Sequence, residues 1–426
     1  MTEPLTYEIL ANAVAGASAA IRCVTRLQPA GGPGDKVFPP TFLVGKKASY
    51  ASEKRRIDGR DVDVVLLDSV ASQANRLEEA LFDAWESRTL EFPVIGVDFS
   101  GSDGVSDVGL ITTLHAPHRI ADAILRDAET LDGTSFRQTP AGKAYTEASP
   151  RSATAVYQLC PTALLLGVWD STGPKGGGGA KFQRALVSEI VGIGMVPGVK
   201  SASRIDPLGI QSGVEVYHAA DNEQDWTVDA QSARKEKDKP VLFSRSGGDG
   251  KKGKPSSINH SNVAPTIDDS VGGVTFDYAV QTTVLSLPAL RRLRLQTSNS
   301  GASFPGETRL AAEHAARTAL AALALAGVAL LRTKGFDLRS RSLLVPEGGH
   351  AFELEFMSAD GGAPSAYSLS AEQAVALVAR TQQAAAAFDL AWEREPVRLR
   401  PAQKLVDLIR RSRALAPNDA DVGEND

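Results

Sequence analysis

The stretch Trp169–Arg184, WDSTGPKGGGGAKFQR, combines the residue types that bind phosphate groups. Four consecutive glycines leave backbone N–H groups uncovered by side chains, and three cations lie on either side of them. The stretch is not a P-loop, because Phe182 stands where a magnesium-binding Ser or Thr is required. It indicates phosphate contact, and the alternative is a flexible hairpin tip with solvated lysines. The candidate contacts are Lys175, Gly176, Gly177, Gly178, Gly179, Lys181 and Arg184.

A second polar set lies in Asp68–Glu78, DSVASQANRLE, at the start of a predicted helix. Apolar residues recur there at helical spacing from Val70 and are expected to face the core, with Asp68 as the N-cap. The polar residues would then share the opposite face, where a hydroxyl, an amide and a guanidinium suit an anion. A solvated helix face is the alternative. These polar residues are Ser72, Gln73 and Arg76.

His118 and Arg119 open a short predicted helix, and His115 lies three residues before His118. Two histidines at that spacing could face together as metal ligands. No acid or cysteine nearby completes a site, so we predict no metal there and expect a contact residue or a hydrogen-bonded histidine instead.

Two later segments carry further polar and basic side chains. Asn259 and His260 lie in a loop, and LRSRSL alternates Arg339 and Arg341 onto one face of a predicted strand. Basic side chains on a strand face suit single-stranded RNA. A solvated edge of the sheet is the alternative.

Catalytic groups are harder to find in this sequence. Ser171, Ser188 and Cys160 have no defined His or acid neighbour that would activate them. Asp170, beside the glycines, could serve a metal-dependent nuclease, but a single Asp more often makes loop hydrogen bonds. We therefore predict a non-catalytic protein without a cofactor.

The composition limits the class of protein. The chain has 426 residues, 42% of them hydrophobic, with a net charge of −5, which suits a globular protein rather than a wholly basic nucleic-acid binder. Cys23 and Cys160 are too few for a disulfide framework or a zinc site. No basic residue precedes Arg22, and the most apolar stretch, Thr318–Leu331, is shorter than the roughly 20 residues that span a bilayer. We expect a soluble cytoplasmic protein with no membrane partner.

Strands and helices mix along the chain without a strict β–α–β rhythm, which predicts an α+β fold with an antiparallel sheet and helices on one face. Strands are predicted at residues 18–27, 62–67, 162–169, 341–345 and 351–356. Helices are predicted at residues 70–85, 119–127, 182–193, 307–331 and 371–392. The helix after the glycines would add partial positive charge from its N-terminus.

One region differs in composition from the rest. Residues 220–270 are rich in Lys, Gly and Ser, and segment 234–254 has a net charge of +5. Its low apolar content predicts a flexible insertion that is poorly ordered without RNA. The sequence otherwise indicates one elaborated domain over residues 1–415, followed by an acidic disordered tail at 416–426.

Taken together, these segments resemble a known family. PAGGPGDKVFPPTF, DSVASQANRLE, APHRIADAILRD, LLLGVWDSTGPKGGGGAKFQRALVSEI, INHSNVAP, GGVTFDYAVQTTVLSL and LRSRSLL occur in order. They resemble the CRISPR-associated RAMP backbone protein of type I-G (formerly I-U) Cascade, the family-seven Cas subunit. The resemblance runs from about residue 17 to about residue 345, and the block around the glycines is highly specific.

The resemblance implies a modified RRM or ferredoxin-like palm with finger- and thumb-like insertions. It implies that several copies polymerise along one CRISPR RNA, contact other Cascade subunits, and present the guide for pairing with target DNA. The SQANR segment adds Asn75 to the residues expected on the guide backbone, beside Ser72, Gln73 and Arg76. A metal-dependent RNase of the same superfamily and a nucleotide-binding regulator using the glycines remain as alternatives.

Overall fold

The computed structural model describes residues 2–222, 224–244, 252–348, 352–393 and 395–419. The chain divides into two compact units. Unit 1 comprises Met1–Phe42, Tyr50–Val196 and Val274–Arg410, and unit 2 comprises Leu43–Ser49, Pro197–Gly273 and Arg411–Asp426. The predicted insertion at 220–270 lies within unit 2.

Unit 1 is built on a large sheet that has ten strands in the described part of the chain. The strands are β1 (Glu3–Pro4), β2 (Ser18–Pro29), β3 (Ser52–Ile57), β4 (Arg60–Asp68), β5 (Leu186–Ile193), β6 (Tyr278–Ser286), β7 (Phe336–Asp337), β8 (Leu343–Pro346), β9 (Glu353–Ser358) and β10 (Ser365–Ser368). They run in the order β1-β10-β9-β2-β6-β5-β4-β3, and β8 joins β2 and β7. The short pair β1–β10 is parallel, whereas β2, β6, β5 and β4 pair in antiparallel fashion.

Ten helices connect and cover these strands in the described residues. They are α1 (Tyr7–Asn12), α2 (Val70–Glu86), α3 (Ala123–Arg126), α4 (Pro140–Thr146), α5 (Thr154–Leu159), α6 (Pro161–Leu166), α7 (Leu287–Arg291), α8 (Gly306–Lys334), α9 (Ala371–Ala386) and α10 (Gln403–Asp419). A smaller sheet orders Leu110–Thr112, Ile95–Asp98, Val397–Pro401 and Ala128–Glu129. Further short strands are Thr41–Val44, Lys47–Tyr50, Val168–Trp169, Lys181–Phe182, Val196–Pro197 and Val274–Thr275.

The core of unit 1 lies between one face of the large sheet and the helices α2, α8 and α9. Strand β6 alternates buried and half-buried residues along its length, as a strand with one face on the core must. From β2, Ile21 and Cys23 join Leu285 of β6 in the same apolar cluster as Leu77 of α2. The α+β fold predicted from the sequence, with an antiparallel sheet and helices on one face, is confirmed.

Helix α8 is buried around most of its circumference. It is 29 residues long, so it is long and apolar enough to cross a membrane, but 89% of its most apolar window is buried inside the protein. Its many alanines let neighbouring helices approach closely. A Cβ placed on Gly327 would lie 3.4 Å from the Leu81 side chain, so α8 and α2 are in contact at this residue. The length and burial identify α8 as the central helix of the core.

In two predicted elements, a helix and a strand are interchanged relative to the structure. Residues 182–193 were expected to be helical, but Leu186–Ile193 is the central strand β5, hydrogen-bonded to β4 and β6. Residues 162–169 were expected to be a strand, but α6 occupies most of them, with Pro161 at its first position. The helix N-terminus expected after the glycines is therefore wrong, and β5 lies there instead.

Unit 2 is made of short hairpins in its described part. Lys200–Arg204 pairs with Val263–Asp268, Tyr217–His218 with Trp226–Thr227, and Lys235–Glu236 with Lys239–Pro240. Val216, Ala233 and Phe243 are buried in this unit. Residues 234–244 of the basic segment thus lie in defined turns and strands, whereas residues 245–251 lie outside the described residues.

The end of the chain shows one further difference from the expected layout. Helix α10 continues to Asp419, so the first residues of the acidic tail predicted from 416 are helical. Residues 420–426 lie outside the described residues.

Candidate nucleic-acid interface

A groove of about 450 Å³ on unit 1 brings together three of the segments that the sequence indicated. Helix α2 contributes Asn75, and the segment before α3 contributes His118 and Arg119. The strands that flank the glycine loop contribute Lys181 and, just beyond, Arg184. The remaining lining residues are Ala71, Ala74, Pro117, Leu166, Gly167, Val168, Trp169 and Phe182.

Trp169 is the most prominent residue of the groove, and the sequence reasoning did not select it. Val168–Trp169 pairs with Lys181–Phe182 as a two-stranded hairpin, so Trp169 lies directly opposite Lys181. The indole is 52% exposed, and Lys181 Nζ lies 4.7 Å from the ring centroid. An exposed aromatic ring with a cation over it can stack on a base and bind the adjacent phosphate. A Trp beside a basic loop is the signal that could have identified it.

Arg184 lies at the wall of the groove. Its Nε donates to the carbonyl oxygen of Leu166 at 3.1 Å, and its stem packs over Gly167. Gly167 has φ +85° and its added Cβ would lie 2.9 Å from Arg184 Cγ, so both conformation and space require glycine there. The terminal nitrogens of Arg184 have no hydrogen-bond partner in the described part of the chain, which leaves them available to an anion.

Arg119 lines the groove, but its guanidinium group is bonded within the protein. Its Nε and Nη2 donate to both carboxylate oxygens of Glu78 at 2.7 and 2.8 Å, and its Nη1 donates to the Gly167 carbonyl at 3.1 Å. Burial raises the pKa of Glu78 to about 7, against the lowering effect of Arg119. Arg119, predicted as an RNA contact, is buried and engaged on all sides, whereas the neighbouring His118 is exposed.

The glycine loop closes back on Asp170. The Asp170 N–H donates to the Ala180 carbonyl at 2.9 Å, and the fully buried Asp170 carboxylate binds Arg137 at 2.5 Å. Lys175, predicted to bind phosphate, forms an ion pair with Glu147. Gly176–Gly178 form one short 3-10 turn at the surface. The loop is thus an anchored hairpin connection with its glycines outermost.

The polar residues at the start of α2 converge on one buried carboxylate. Asp68 Oδ1 accepts from Ser72 Oγ at 2.7 Å, and Asp68 Oδ2 accepts from Gln73 Nε2 at 2.6 Å and Arg76 Nε at 3.0 Å. Arg339 Nη2 lies 3.7 Å from Asp68 Oδ1. We call these five residues the Asp68 anchor.

The polar residues of α2 that were predicted to face away from the core bond to Asp68 instead. Gln73 is 1% exposed, and its Oε1 accepts from Ser188 at 2.9 Å and from Gln281 at 2.8 Å on the sheet. Because a buried carboxylate without donors is very costly, the nearby hydroxyl, amide and guanidinium turn to it instead of outward. The N-cap of α2 is Ser69, whose side chain accepts from the Ser72 N–H, and not Asp68.

Arg339 and Arg341 lie in the turn before β8 and not on a strand face. Besides contacting Asp68, Arg339 donates to the Leu67 carbonyl at 2.9 Å. Arg341 has a positive φ of 59° and lies 4.1 Å over the Phe38 ring. The prediction that the two arginines share a strand face is wrong, because a turn does not keep the two-residue alternation of a strand.

Asn259 and His260 belong to unit 2. Asn259 has φ 60° and follows the short 3-10 turn Pro255–Ile258. His260 Nδ1 lies 3.5 Å from Asp206 Oδ2. Of the histidines considered as ligands, His115 bonds Thr112 through Nδ1 and its ring lies 4.2 Å from the Phe82 ring. Within the described residues, no three His, Cys, Asp or Glu side chains cluster as a metal site.

The sheet, the helices on its face and the basic groove define the class: an α+β protein with an RRM-like palm and insertions. Residues 21–197 of the chain match the family described as CRISPR-associated protein GSU0053. This match supports the resemblance to a CRISPR-associated family over residues 21–197, and the whole groove lies within the matched residues. No curated protein matches the chain.

Proposed function

We propose that this protein is a non-catalytic RNA-binding backbone subunit of a type I-G Cascade complex. Several copies would polymerise along one CRISPR RNA, contact other Cascade subunits and present the guide to target DNA in the cytoplasm. The CRISPR-associated family supports an RNA-guided role, in which base pairing reads sequence and the protein holds the backbone.

The observation that carries the proposal is the composition of the groove. Trp169 offers an exposed ring, and Lys181 and Arg184 offer cations beside it. These are the groups that hold single-stranded RNA without reading its sequence. Arg76, Arg119 and Arg339 support the fold around this surface, because each has a buried acidic partner. Lys175 instead pairs with the exposed Glu147 at the surface.

The groove is tested by the salt dependence of RNA binding. Replacing Lys181 and Arg184 together with Ala should reduce the slope of log affinity against log salt by about 1.4, since each neutralised phosphate on a single strand contributes roughly 0.7. The matched control is Lys252→Ala with Lys254→Ala in unit 2. An unchanged slope in the groove variant, with the protein still folded, would rule out this RNA path.

Polymerisation along the guide is tested by protection. The purified protein, mixed with a long single-stranded RNA and then treated with ribonuclease, should protect fragments whose lengths are multiples of one unit. A single protected length would contradict repeated binding of copies along the strand.

The metal-dependent RNase alternative depends on Asp170. That carboxylate is fully buried, bonded to Arg137 and covered by Gly173, which is poor geometry for a metal shared with substrate. Incubation of RNA-loaded protein with complementary RNA and magnesium should leave the RNA intact. Cleavage that Asp170→Asn abolishes while the protein stays folded would favour the nuclease.

The nucleotide-binding alternative depends on the glycine loop. Lys175 is paired with Glu147 and no helix follows the loop, so the two features that hold phosphates in such proteins are missing from it. ATP binding to the isolated protein, lost in Lys181→Ala, would support that alternative over RNA binding.

A further inference from the structure

A second cavity of unit 1, of about 380 Å³, is lined by three arginines from three segments of the chain. We call it the arginine pocket. Its lining residues are Arg151, Arg294, Gln296, Arg309, Leu310 and Glu313. Glu313 is its single acidic lining residue, so guanidinium groups dominate the charge of the cavity.

Hydrogen bonds join the two backbone segments that carry Arg151 and Arg294. The Arg294 N–H donates to the Pro150 carbonyl, and the Ala153 N–H donates to the Arg294 carbonyl, both at 2.8 Å. Gln296 Nε2 donates to the Arg151 carbonyl, also at 2.8 Å. Arg309 lies in the first turn of α8, where the helix end carries partial positive charge. The backbone that carries Arg151 and Arg294 is therefore fixed before a ligand arrives, so only the side chains have to be ordered on binding.

Glu313 does not neutralise the pocket. Its buried Oε2 accepts from Arg294 Nη1 at 2.9 Å and from Arg317 Nη2 at 2.6 Å. Arg151 and Arg309 form no ion pair in the described part of the chain and are both exposed. Two guanidinium groups thus remain without an acid, and a third is shared.

The arginine pocket is distinct from the groove. Glu313 and Gly327 are 14 residues apart on α8, which is roughly 21 Å along a helix that rises about 1.5 Å per residue. Gly327 is the residue of α8 that packs against Leu77 and Leu81 of α2, the helix that contributes to the groove. The two cavities have no lining residue in common.

We infer that the arginine pocket is a second anion site, which binds a phosphate group outside the groove. Guanidinium groups favour phosphate because their planar fork donates two parallel hydrogen bonds to its oxygens. The exposed Leu310 and the Gln296 amide at the rim offer an apolar surface and a hydrogen bond to the nucleoside beside that phosphate. The phosphate belongs either to a free nucleotide or to a nucleic-acid strand.

Calorimetric titration of the full chain with inorganic pyrophosphate tests this site without reference to RNA. Arg151→Ala with Arg309→Ala should weaken pyrophosphate binding at least ten-fold, because it removes two of the three guanidinium groups of the pocket. The protein should stay folded, because neither arginine forms an ion pair in the described residues. Arg60→Ala with Arg398→Ala is the control of equal charge, and Lys181→Ala with Arg184→Ala should leave this binding event in place. Thermal unfolding of each variant confirms that it is folded.

Further titrations identify the source of the phosphate. Loss of ADP binding in the pocket variant, with long-RNA affinity unchanged, assigns a free nucleotide. Reduced affinity for long RNA, measured in the Lys181→Ala, Arg184→Ala background, assigns a strand. Unchanged pyrophosphate binding in the pocket variant overturns the inference. A poly-glutamate peptide that binds more tightly than pyrophosphate, and that no longer binds the pocket variant, would also overturn the inference. The pocket would then bind a protein carboxylate. A failure of the groove to bind RNA would leave the pyrophosphate result unaffected.

Discussion

The groove and the Asp68 anchor both include residues of helix α2, yet they use similar side chains in opposite ways. In the anchor, Arg76 and Gln73 give their donors to a buried carboxylate. In the groove, Lys181 faces an exposed ring, and Arg184 keeps its terminal nitrogens unbonded within the described residues. A polar residue near a binding surface is therefore available to a ligand only when no buried group of opposite charge lies within its reach.

The largest effect should come from breaking the anchor. Asp68→Ala leaves Arg76, Gln73 and Arg339 without their common acceptor inside the protein. Removing one member of a buried charged network costs about 3–5 kcal/mol. Chemical denaturation should show that loss, and the exposed pair of Lys54 with Asp63 gives the control, because Asp63→Ala should cost about 1 kcal/mol or less. Equal losses for the two variants would mean that the anchor is not structural.

Glu78, beneath the groove, should give a pH-dependent effect. Burial raises its pKa from 4.5 to about 7, so between those values the folded protein holds a proton that the unfolded chain has released. The free energy of unfolding should therefore fall as pH rises from 5 to 7, by about 2 kcal/mol relative to Glu78→Gln. Denaturation of both proteins across this range measures it. A constant difference would show that Arg119 keeps Glu78 ionised throughout.

Replacement of Trp169 should have the next largest effect, and it should affect RNA binding and not the stability of the fold. Trp169→Ala removes the exposed ring, and stacking on one base contributes about 1–3 kcal/mol. RNA affinity measured by fluorescence anisotropy should fall accordingly, whereas stability should change little because half of the ring is already exposed. Trp169→Phe keeps a stacking surface and should recover most of the affinity; if it does not, the indole serves another role.

The smallest effect on folding is expected at the outermost glycines. Gly177 and Gly178 have open space at the added Cβ and no positive φ, so Ala at both should change stability by less than about 0.5 kcal/mol. An added Cβ at Gly173 would lie 2.4 Å from Asp170 Oδ2, so Gly173→Ala should destabilise the loop. A thermal shift for each variant checks this contrast.

The same outer glycines separate folding from RNA contact. Val at Gly177 and Gly178 would reduce RNA affinity without unfolding the protein if their backbone approaches phosphates. Unchanged affinity would restrict the RNA path to the groove.

Sequence patterns identified the elements whose periodicity is visible. The helix from Val70 and the long helix around residues 307–331 show apolar spacing, and buried positions alternate along β2 from Ile21 to Pro29. The helix predicted over β5 is wrong, because the second half of the strand is buried on both faces and its apolar residues do not alternate there. A short apolar run such as that of α6 cannot be told from a buried strand by periodicity alone.

The site could be predicted only in part. Composition located the glycine loop, Lys181 and Arg184, since cations beside glycines are visible in one stretch of chain. It could not show that Arg119 meets Glu78, 41 residues away in sequence, or that Arg76 meets Asp68 and the turn at 338. Those partners come together through the fold, and they decide which of the predicted cations remains available.

The central position of α8 also bears on how the chain is synthesised. The apolar cluster that seals the sheet draws on residues from Leu5 to Val406, and α8 supplies its middle. Residues 68 and 334 are separated by some 266 positions, so a ribosome adding roughly 5–20 residues per second releases β2 and β4 about 13–53 s before α8 is complete. During that interval the nascent sheet has apolar surface and no helix to cover it. A chaperone that binds nascent chains should therefore be needed more by this protein than by one whose core helix comes first.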